Sequence, residues 1–279
     1  MILDNNISIE TVHDIIVNKI RVFFKEADKE KAVIGLSGGI DSSVVTCLAC
    51  EALGTDNVHG ILMPSQFSTF HSVSDAVDLA NNLGIKYDIV PIERIYHKIM
   101  HEMASFFDND TWGVAQENLQ ARIRGTILMT YSNKYDALLL NTSNKSELFS
   151  GYGTLYGDLC GALMVIADLY KLQVYELASY INADNVLIPI STMVKAPSAE
   201  LHPGQKDSDS LPAYEDLDPI LHSLNEEGKS IDSLVEEGAD IELLKMISKL
   251  MKGASFKVHQ IPQVIKISDK PLVPNEKWI

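Results

Sequence analysis

The most chemically informative stretch of the sequence is a glycine- and serine-rich turn at residues 35–43, which reads Gly-Leu-Ser-Gly-Gly-Ile-Asp-Ser-Ser. It lies between a short apolar run and a segment with apolar residues at helical spacing. A strand, a glycine turn and a helix aim several backbone N–H groups at one anion. Gly38 and Gly39 let the backbone approach a phosphate, and Asp41 supplies a carboxylate for Mg²⁺. A turn that only caps the helix would use the same residue types, so both interpretations stay open.

Polar side chains that could complete such a site are spread through the rest of the chain. Asn118 and Arg122 are four residues apart in a helical pattern, so they share a helix face. The segment 142–147 follows a predicted strand, and its terminal glutamate could bind a metal ion or stabilise the first turn of a helix. A solvated helix face, a helix cap and surface lysines are the structural alternatives for these residues and for Lys171 and Lys257.

Taken together, these motifs resemble those of the NAD synthetases, which belong to the N-type ATP pyrophosphatases. Members of that superfamily split ATP between its α and β phosphates. The similar stretches occur in the family's order and spacing, and the resemblance runs from Glu10 to Ser268. They are residues 37–42, 118–124, 141–147, 155–158, 197–201 and 204–212. Several motifs in register are more specific than any one of them.

The resemblance implies an enzyme that converts nicotinic acid adenine dinucleotide (deamido-NAD) into NAD in two steps. The nicotinate carboxylate attacks the α-phosphorus of ATP, which gives an acyl-adenylate and pyrophosphate. Ammonia then attacks the acyl carbon, and AMP leaves. Because the first step joins an anion to a polyanion, it needs cations and oriented N–H donors more than acid–base groups. No side chain is therefore assigned as a nucleophile or a general base.

By the same resemblance, the site residues fall into three groups. Mg²⁺ would be held by Asp41 and Glu147. ATP would be bound by Gly35, Leu36, Ser37, Gly38, Gly39, Ile40, Asp41, Ser42, Thr142, Lys171 and Ser198. Deamido-NAD would be bound by Asn118, Arg122, Glu147, Asp158 and Lys257. Family members are homodimers whose dinucleotide site includes the partner chain, so the resemblance also implies a homodimer.

The sequence differs from the small ammonia-dependent synthetases at several positions. Leu155 stands where they commonly have Lys, and Ala162 where they commonly have Asp. The C-terminal segment is more similar to that of the glutamine-dependent branch, although Val258 and His259 replace two arginines of that branch. The glutamine-dependent enzymes carry a glutaminase domain before the synthetase domain, and here the turn already begins at residue 35. We therefore expect a synthetase domain that uses free ammonia in vitro, with a separate glutaminase subunit as an alternative source.

Two other functions compete with this hypothesis. The first is another adenylating ATP pyrophosphatase, similar to GMP synthetase or to a tRNA-thiolating enzyme. The thiolating enzymes need a working cysteine, whereas Cys47 and Cys50 lie at helical spacing in an apolar helix and are expected to be buried. The second is a nucleotide-binding module without catalytic activity. The presence of both Asp41 and Glu147 favours an active enzyme.

The elements that must position these residues alternate along the chain. Strands are predicted at residues 32–36, 58–63, 87–92 and 137–141, and helices near residues 41–53, 73–83, 93–106, 115–133, 213–223 and 239–252. Ser72 and Asp75 resemble a capping box, and Gly84 is placed to end that helix. The alternation predicts a three-layer α/β fold with a doubly wound parallel sheet of about five strands and C-terminal helices, similar to the adenine nucleotide alpha-hydrolases. The turn and the segment 142–147 would then share the carboxyl edge of the sheet.

Composition limits the remaining choices. The length of 279 residues suggests one domain or two small ones, and the 46% hydrophobic content argues against a disordered chain. We predict a single domain over 1–279. A net charge of −15 argues against general nucleic-acid or membrane binding. The first residues have no signal-peptide pattern, so a cytoplasmic location is expected. The Pro-, Ser- and Asp-rich residues 192–212 are predicted to form a mobile loop, and residues 256–279 a C-terminal tail.

Overall fold

A six-stranded parallel sheet forms the centre of the computed structural model, which describes residues 7–107 and 112–268. The strands are Lys31–Gly35 (β1), Val58–Leu62 (β2), Lys86–Ile89 (β3), Ala137–Asn141 (β4), Leu163–Met164 (β5) and Gln263–Val264 (β6). Their order across the sheet is β3-β2-β1-β4-β5-β6, and each neighbouring pair is parallel. The predicted doubly wound α/β fold is confirmed.

Helices cover both faces of this sheet. In chain order they are Ile9–Glu26 (α1), Ile40–Leu53 (α2), Phe70–Leu83 (α3), Glu93–Glu102 (α4), Val114–Tyr135 (α5), Lys145–Ser150 (α6), Lys171–Ile181 (α7), Ile190–Val194 (α8), Tyr214–Asn225 (α9), Ile231–Glu236 (α10) and Ile241–Val258 (α11). Within the described residues, no helix combines the length and the apolar character that a membrane span requires.

The two faces of the sheet have separate hydrophobic cores because side chains alternate along each strand. Ala32 and Ile34 of β1 pack in a cluster with residues of α1, α2, α3 and α7. Val33, between them, packs with residues of α4 and α5. A third cluster joins α9 and α11 to the buried side chains of Phe149 and Tyr170. The fourth cluster packs the end of α11 and strand β6 against α6 and strand β5.

The structure corrects three details of the predicted elements. The sheet has six strands rather than about five, because the two-residue strands β5 and β6 are too short to give a periodic pattern. Helix α3 begins at Phe70 with Thr69 as its N-cap, so Ser72 and Asp75 do not form the predicted capping box. Gly84 ends α3 in the left-handed conformation, as predicted. No predicted helix covered α1, α7, α8 or α10. Helix α1 shows apolar residues at helical spacing and a Ser8 cap.

The two irregular segments are partly structured. Residues 192–194 end α8, and Asp207–Asp209 form a 3₁₀ turn within the predicted loop. Its mobility stays a prediction. The predicted tail contains the end of α11 and strand β6, and its residues from 269 onward lie outside the described residues.

The order of the strands decides where the candidate site lies. Strand β1 pairs with β2 on one side and with β4 on the other, so the winding of the chain reverses between β1 and β4. Ligands of such sheets bind beyond the carboxyl ends of the strands at this reversal. Gly35 and Asn141 end these two strands. The segments that follow them therefore open onto one edge, as predicted.

Candidate functional site

The turn after β1 is organised by its own hydroxyl groups. Ser37 Oγ accepts a hydrogen bond from the Gly39 N–H at 3.1 Å, and Ser42 Oγ donates to the Gly39 carbonyl at 3.0 Å. Gly38 has a φ of 77°, and a Cβ there would lie 2.1 Å from the carbonyl oxygen of Ser72. Glycine is required at this position by both the backbone conformation and the close approach of α3. Gly39, the N-cap of α2, provides no side-chain cap, so capping does not explain the turn.

Lys171 joins the turn to the segment after β4. Its Nζ donates a hydrogen bond to Asp41 Oδ2 and lies 3.8 Å from Glu147 Oε1. The amide of Asn144 donates to Asp41 Oδ1 at 3.0 Å. Lys171 is 2% exposed, so its ammonium is held almost entirely by the protein. Three residues of the predicted site, from three different helices, are thus in one buried cluster.

Local structure explains how Glu147 reaches this cluster. Asn144 is the N-cap of α6: its side chain accepts from the Glu147 N–H at 3.0 Å, and Glu147 Oε2 accepts from the Asn144 N–H at 3.2 Å. This capping box holds the carboxylate at the first turn of α6. Capping and a role in the site therefore coexist at Glu147. The cap is Asn144, whereas Ser146 Oγ accepts from the Lys171 N–H at 2.9 Å and donates to Asp218.

Electrostatics in the cluster follow from burial and the opposed charges. Burial and the nearby Asp41 carboxylate raise the pKa of Glu147 well above its ordinary value, and Lys171 only partly offsets them. For Lys171, burial lowers the pKa, but the Asp41 and Glu147 carboxylates outweigh it and hold the pKa above its usual range. Two carboxylates that share one ammonium form an arrangement to which a further cation would bind favourably.

A cavity of about 300 Å³ opens over the turn and contains most of the predicted ATP residues. It is lined by Gly35, Leu36, Ser37, Gly39, Ile40, Asp41, Ser42, Thr142, Glu147, Asp158, Lys171 and Ser198, among others. Gly38 supports the turn from outside this lining. The structure thus brings together residues of all six similar motifs.

The remaining predicted dinucleotide residues, Asn118, Arg122 and Lys257, do not line this cavity. They contact the segment 151–158 instead. Asn118 Oδ1 accepts from Thr154 Oγ1 at 2.7 Å, and Arg122 Nε donates to the Leu155 carbonyl at 3.3 Å. Lys257 Nζ donates to the carbonyls of Gly151 and Gly153 at 2.7 and 2.6 Å. These side chains surround the segment that carries Asp158.

The sequence interpretation assigned no role to several charged residues of the cavity. Arg124 lies in a similar motif, and its Nε donates to the Met63 carbonyl at 3.1 Å. Burial lowers the pKa of Arg124 to about 10. Lys195 pairs with Asp75 at 2.8 Å. Asp207 belongs to the motif at 204–212, which was quoted without a role for this residue. Only long-range contacts reveal these three side chains as part of the site.

One more residue without an assigned role, Glu200, attaches the segment 195–200 to the start of α3. Its carboxylate accepts hydrogen bonds from Thr69 N–H at 3.2 Å, Thr69 Oγ1 at 2.9 Å and Ser72 Oγ at 2.8 Å. A carboxylate at a helix N-terminus is stabilised by the unpaired N–H groups and the helix dipole. Glu200 has a φ of 49°, which non-glycine residues seldom adopt. The carboxylate contacts hold this residue in place beside the cavity.

The donor set fits Mg²⁺. Among the described residues there is no cluster of three or more His, Cys, Asp or Glu side chains placed to hold a metal ion. Asp41 and Glu147 nevertheless lie on either side of one ammonium at the cavity wall. Mg²⁺ is commonly held by one or two carboxylates together with substrate phosphates and waters. Two carboxylates beside a candidate phosphate turn satisfy this requirement.

Comparison with known proteins connects this geometry to a family. A sequence model of the family described as NAD synthase matches residues 12–261. The chain belongs to this family. A glutamine-dependent NAD(+) synthetase of Synechocystis is 48% identical over 240 residues, which is 86% of this chain but 43% of that protein. The chain therefore spans less than half the length of this relative.

Two solved NAD synthase-like structures match along their whole length. An NMN synthetase from Francisella tularensis has a TM-score of 0.78 and 28% identity over 96% of this chain and 99% of that one. An NH3-dependent NAD synthetase from Campylobacter jejuni has a TM-score of 0.75 and 31% identity over 93% of this chain and 100% of that one. These matches confirm the resemblance and the fold class similar to the adenine nucleotide alpha-hydrolases.

Membership of the NAD synthase family argues against the GMP synthetase-like and tRNA-thiolating alternatives. The cysteines agree, because Cys47 and Cys50 are buried as predicted. Burial raises the pKa of Cys50 to about 12 and that of Cys47 further. Neither thiol is suited to carry sulfur in a transfer reaction.

Proposed function

We propose that this chain catalyses the ATP- and Mg²⁺-dependent amidation of deamido-NAD to NAD with ammonia, releasing AMP and pyrophosphate. The observation that carries the proposal is the buried cluster of Asp41, Lys171 and Glu147 beside the glycine turn, in a member of the NAD synthase family. In this arrangement, the turn after β1 offers N–H groups and hydroxyls to the phosphates of ATP. The reaction is a ligation that forms a C–N bond.

The proposed residues act by binding and orientation. Gly35–Ser42, Thr142, Lys171 and Ser198 bind ATP, and Asp41 and Glu147 hold Mg²⁺, which neutralises charge on the phosphate oxygens when it is bound. The nicotinate carboxylate attacks the α-phosphorus, and pyrophosphate leaves toward the turn. Ammonia then attacks the acyl carbon and forms the C–N bond, the acyl–oxygen bond to AMP breaks, and the nitrogen loses one proton to solvent. The protein thus lowers the barrier by positioning two anions and by balancing their charge.

The dinucleotide end of the proposed site is the segment 151–158 with its neighbours. Asp158 lines the cavity, and Asn118, Arg122 and Lys257 contact the backbone or side chains of this segment. We propose that they bind deamido-NAD or hold the segment in the shape that binds it. Leu155, Ala162, Val258 and His259, which differ from the family patterns, lie in or near the same region. Substrate contacts there are expected to differ from those of other members.

Free ammonia is the proposed nitrogen donor. The NH3-dependent structure from Campylobacter jejuni is matched over its full length, which supports this donor. The 48% identity with a longer glutamine-dependent relative supports a second route, in which a separate glutaminase subunit supplies ammonia. We also propose that the protein is a homodimer and that it is cytoplasmic. We do not propose that it binds nucleic acid or membranes. Light scattering of the purified chain tests the dimer.

A second candidate function is synthesis of NMN. It is favoured by the NMN synthetase structure, which matches almost all of both chains. The chemistry would be the same, because a nicotinate carboxylate is amidated in either case. The acceptor would be nicotinic acid mononucleotide, which lacks the adenylate half of the dinucleotide. The two candidates therefore differ only in what fills the space around the segment 151–158.

One assay separates these candidates. Pyrophosphate release from Mg²⁺–ATP is measured with ammonium and, in parallel, deamido-NAD, nicotinic acid mononucleotide and xanthosine monophosphate. The proposal expects release with deamido-NAD and formation of NAD, and much slower release with the other two acceptors. Faster turnover of the mononucleotide would replace the proposal with NMN synthesis. ATP binding without pyrophosphate release under any condition would identify a nucleotide-binding module without catalytic activity.

A further inference from the structure

Asp207 has a buried carboxylate oxygen without a partner. The residue is 5% exposed and lines the cavity. Its Oδ2 accepts a hydrogen bond from the Tyr214 hydroxyl at 2.9 Å, and the Tyr152 hydroxyl also interacts with the carboxylate. No donor among the described residues lies within hydrogen-bond geometry of its Oδ1. An unpaired buried carboxylate oxygen is costly, because it has lost its water and gained nothing in exchange. Such an oxygen indicates an interaction that forms in another state of the protein.

Lys171 is the cation whose charge acts most strongly on Asp207. The charges of both Asp41 and Asp207 act on its ammonium, and Nζ lies 5.4 Å from the centroid of the Tyr214 ring. The Tyr214 hydroxyl in turn contacts Asp207. Tyr214 is therefore close to both groups: its ring lies near the Lys171 ammonium, and its hydroxyl binds the Asp207 carboxylate. In this structure Lys171 is paired with Asp41 and is close to Glu147 instead.

Asp207 also organises the segment that precedes α9. Its N–H donates to the Pro197 carbonyl at 3.0 Å, and its own carbonyl accepts from the N–H groups of Ser210 and Leu211 at 3.0 and 2.9 Å. A displacement of Asp207 would therefore also move the backbone that it contacts on both sides of the 3₁₀ turn. Its contacts make Asp207 a connection between the charged cluster and the residues 197–211.

We propose that Asp207 receives Lys171 when a divalent cation occupies Asp41 and Glu147, and that this exchange fixes the segment 197–211 over the loaded site. The inference rests on the proposed function, because it assumes the cation site at Asp41 and Glu147. A divalent cation neutralises those two carboxylates and leaves the ammonium without its present partners. Asp207 and Asp218 are further carboxylates whose charges act on this ammonium. Both oxygens of Asp218 already accept hydrogen bonds, from Ser146 and Leu172, whereas Oδ1 of Asp207 is an unused acceptor.

A divalent cation would balance the formal charges of the three carboxylates and the ammonium. Three carboxylates, one ammonium and one divalent cation sum to zero, whereas without the cation the three carboxylates share a single ammonium. An ammonium group has three N–H bonds, so a hydrogen bond to Asp207 leaves others for a phosphate of ATP. Asp207 would thus act as a positioning residue: it does not bind the cation, and it couples cation binding to the order of the segment. Nothing in its present contacts requires a covalent step.

Hydrogen exchange of the amides of Asp207, Ser210 and Leu211 tests the proposal. The protein is saturated with ATP, without any dinucleotide, and exchange is compared in EDTA and in Mg²⁺. The wild type is expected to exchange these amides about tenfold more slowly in Mg²⁺. Asp207→Asn keeps an acceptor for Tyr214 but cannot pair with an ammonium, so the slowing by Mg²⁺ is expected to disappear. Calorimetry on the same samples is expected to give an Mg²⁺ affinity within about twofold of wild type.

Two variants complete the design. Asp209→Asn changes an exposed carboxylate of the same 3₁₀ turn and is expected to keep the slowing by Mg²⁺. Lys171→Met removes the ammonium and is expected to lose the slowing by Mg²⁺. This variant therefore provides the test if Asp207→Asn does not fold. Equal slowing in Asp207→Asn and wild type, or none in wild type, would overturn the proposal. A tenfold loss of Mg²⁺ affinity in Asp207→Asn would also overturn it, since Asp207 would then be a cation ligand. NAD formation is not part of the readout, so a failure of the proposed function is detected separately.

Discussion

Lys171 and Asp41 form a buried ion pair although 130 positions separate them in the sequence. Asp41 lies in the first turn of α2, and Lys171 is the first residue of α7. Two helices on the same face of the sheet therefore present opposite charges to one point above its carboxyl edge. Burial and the Asp41 carboxylate raise the pKa of the third member, Glu147, because Lys171 at 3.8 Å only partly offsets them.

Lys171→Met should abolish most of the activity and make the protein depend on Mg²⁺ for stability. Removal of one partner of a buried pair costs about 3–5 kcal/mol because the other charges stay buried. Since a divalent cation can replace the ammonium between Asp41 and Glu147, Mg²⁺ should raise the melting temperature of the variant more than that of wild type. NAD formation should fall by about 10²- to 10³-fold. Thermal unfolding in EDTA and in Mg²⁺ measures the first effect, and equal shifts in both proteins would refute it.

Gly38→Ala should weaken ATP binding by about tenfold or more, which corresponds to about 1.4 kcal/mol. The new Cβ would lie 2.1 Å from the Ser72 carbonyl oxygen, so the turn or α3 must move. Gly84→Ala is the matched control: its φ of 70° is also positive, but a Cβ there meets nothing within 4 Å. That control should lose about 1 kcal/mol of stability and keep its ATP affinity. Isothermal titration with ATP decides, and similar losses of affinity in both variants would contradict the assignment.

Asp218 should make the stability of the protein depend on pH. Its carboxylate accepts from the Leu172 N–H at 2.9 Å and from Ser146, yet burial raises its pKa from 3.8 to about 6. A raised pKa means that the folded state favours the protonated acid. Its contribution to stability is therefore complete below about pH 4 and is lost as the pH rises through 6. The loss amounts to about 3 kcal/mol at neutral pH.

The variant Asp218→Asn, which cannot ionise, measures this contribution. Chemical denaturation at pH 4 and at pH 7 should show the wild type losing stability relative to the variant by about that amount. Asp216→Asn, an exposed change in the same helix, should follow the pH dependence of wild type. An unchanged difference between wild type and Asp218→Asn at the two pH values would show that folding does not raise the pKa of Asp218.

Lys257→Met should weaken the binding of the dinucleotide and leave the binding of ATP unchanged. Lys257 holds the carbonyls of Gly151 and Gly153, and these lie in the segment that carries Asp158. We expect the KM for deamido-NAD to rise about tenfold and the KM for ATP to stay within about twofold. The matched control is Lys252→Met, an exposed change in the same helix α11, which should leave both constants unchanged. Equal increases of both KM values in Lys257→Met would remove the dinucleotide assignment.

The sequence carried enough information to predict the turn, the elements around it and their shared edge of the sheet. Those features depend on local patterns: an apolar strand, glycines and an apolar helix that follow one another. It did not reveal that Lys171 lies between Asp41 and Glu147, because that contact depends on how α7 packs against the sheet. Strands β5 and β6 have two residues each and are defined only by their pairing.

The capping prediction shows the same limit at shorter range. Ser72 and Asp75 have the residue types and spacing of a capping box, but Thr69 caps the helix. Asp75 pairs with Lys195 and contacts Ser191 instead, and both partners come from the segment that begins at α8. Asp75, whose type and spacing suggested a helix cap, thus forms a long-range ion pair instead. Glu200 illustrates the converse, since a residue with no local signal binds the start of α3.

The most direct test of the central claim is the mass of the product formed from nitrogen-15 ammonium. The purified chain is incubated with Mg²⁺, ATP and deamido-NAD, with labelled ammonium or with unlabelled glutamine, and NAD, AMP and pyrophosphate are quantified. We predict NAD that carries one labelled nitrogen, with AMP and pyrophosphate formed in equal amounts, and no NAD from glutamine alone. Pyrophosphate without labelled NAD would contradict the ammonia-dependent reaction, and NAD from glutamine alone would contradict the proposed nitrogen donor.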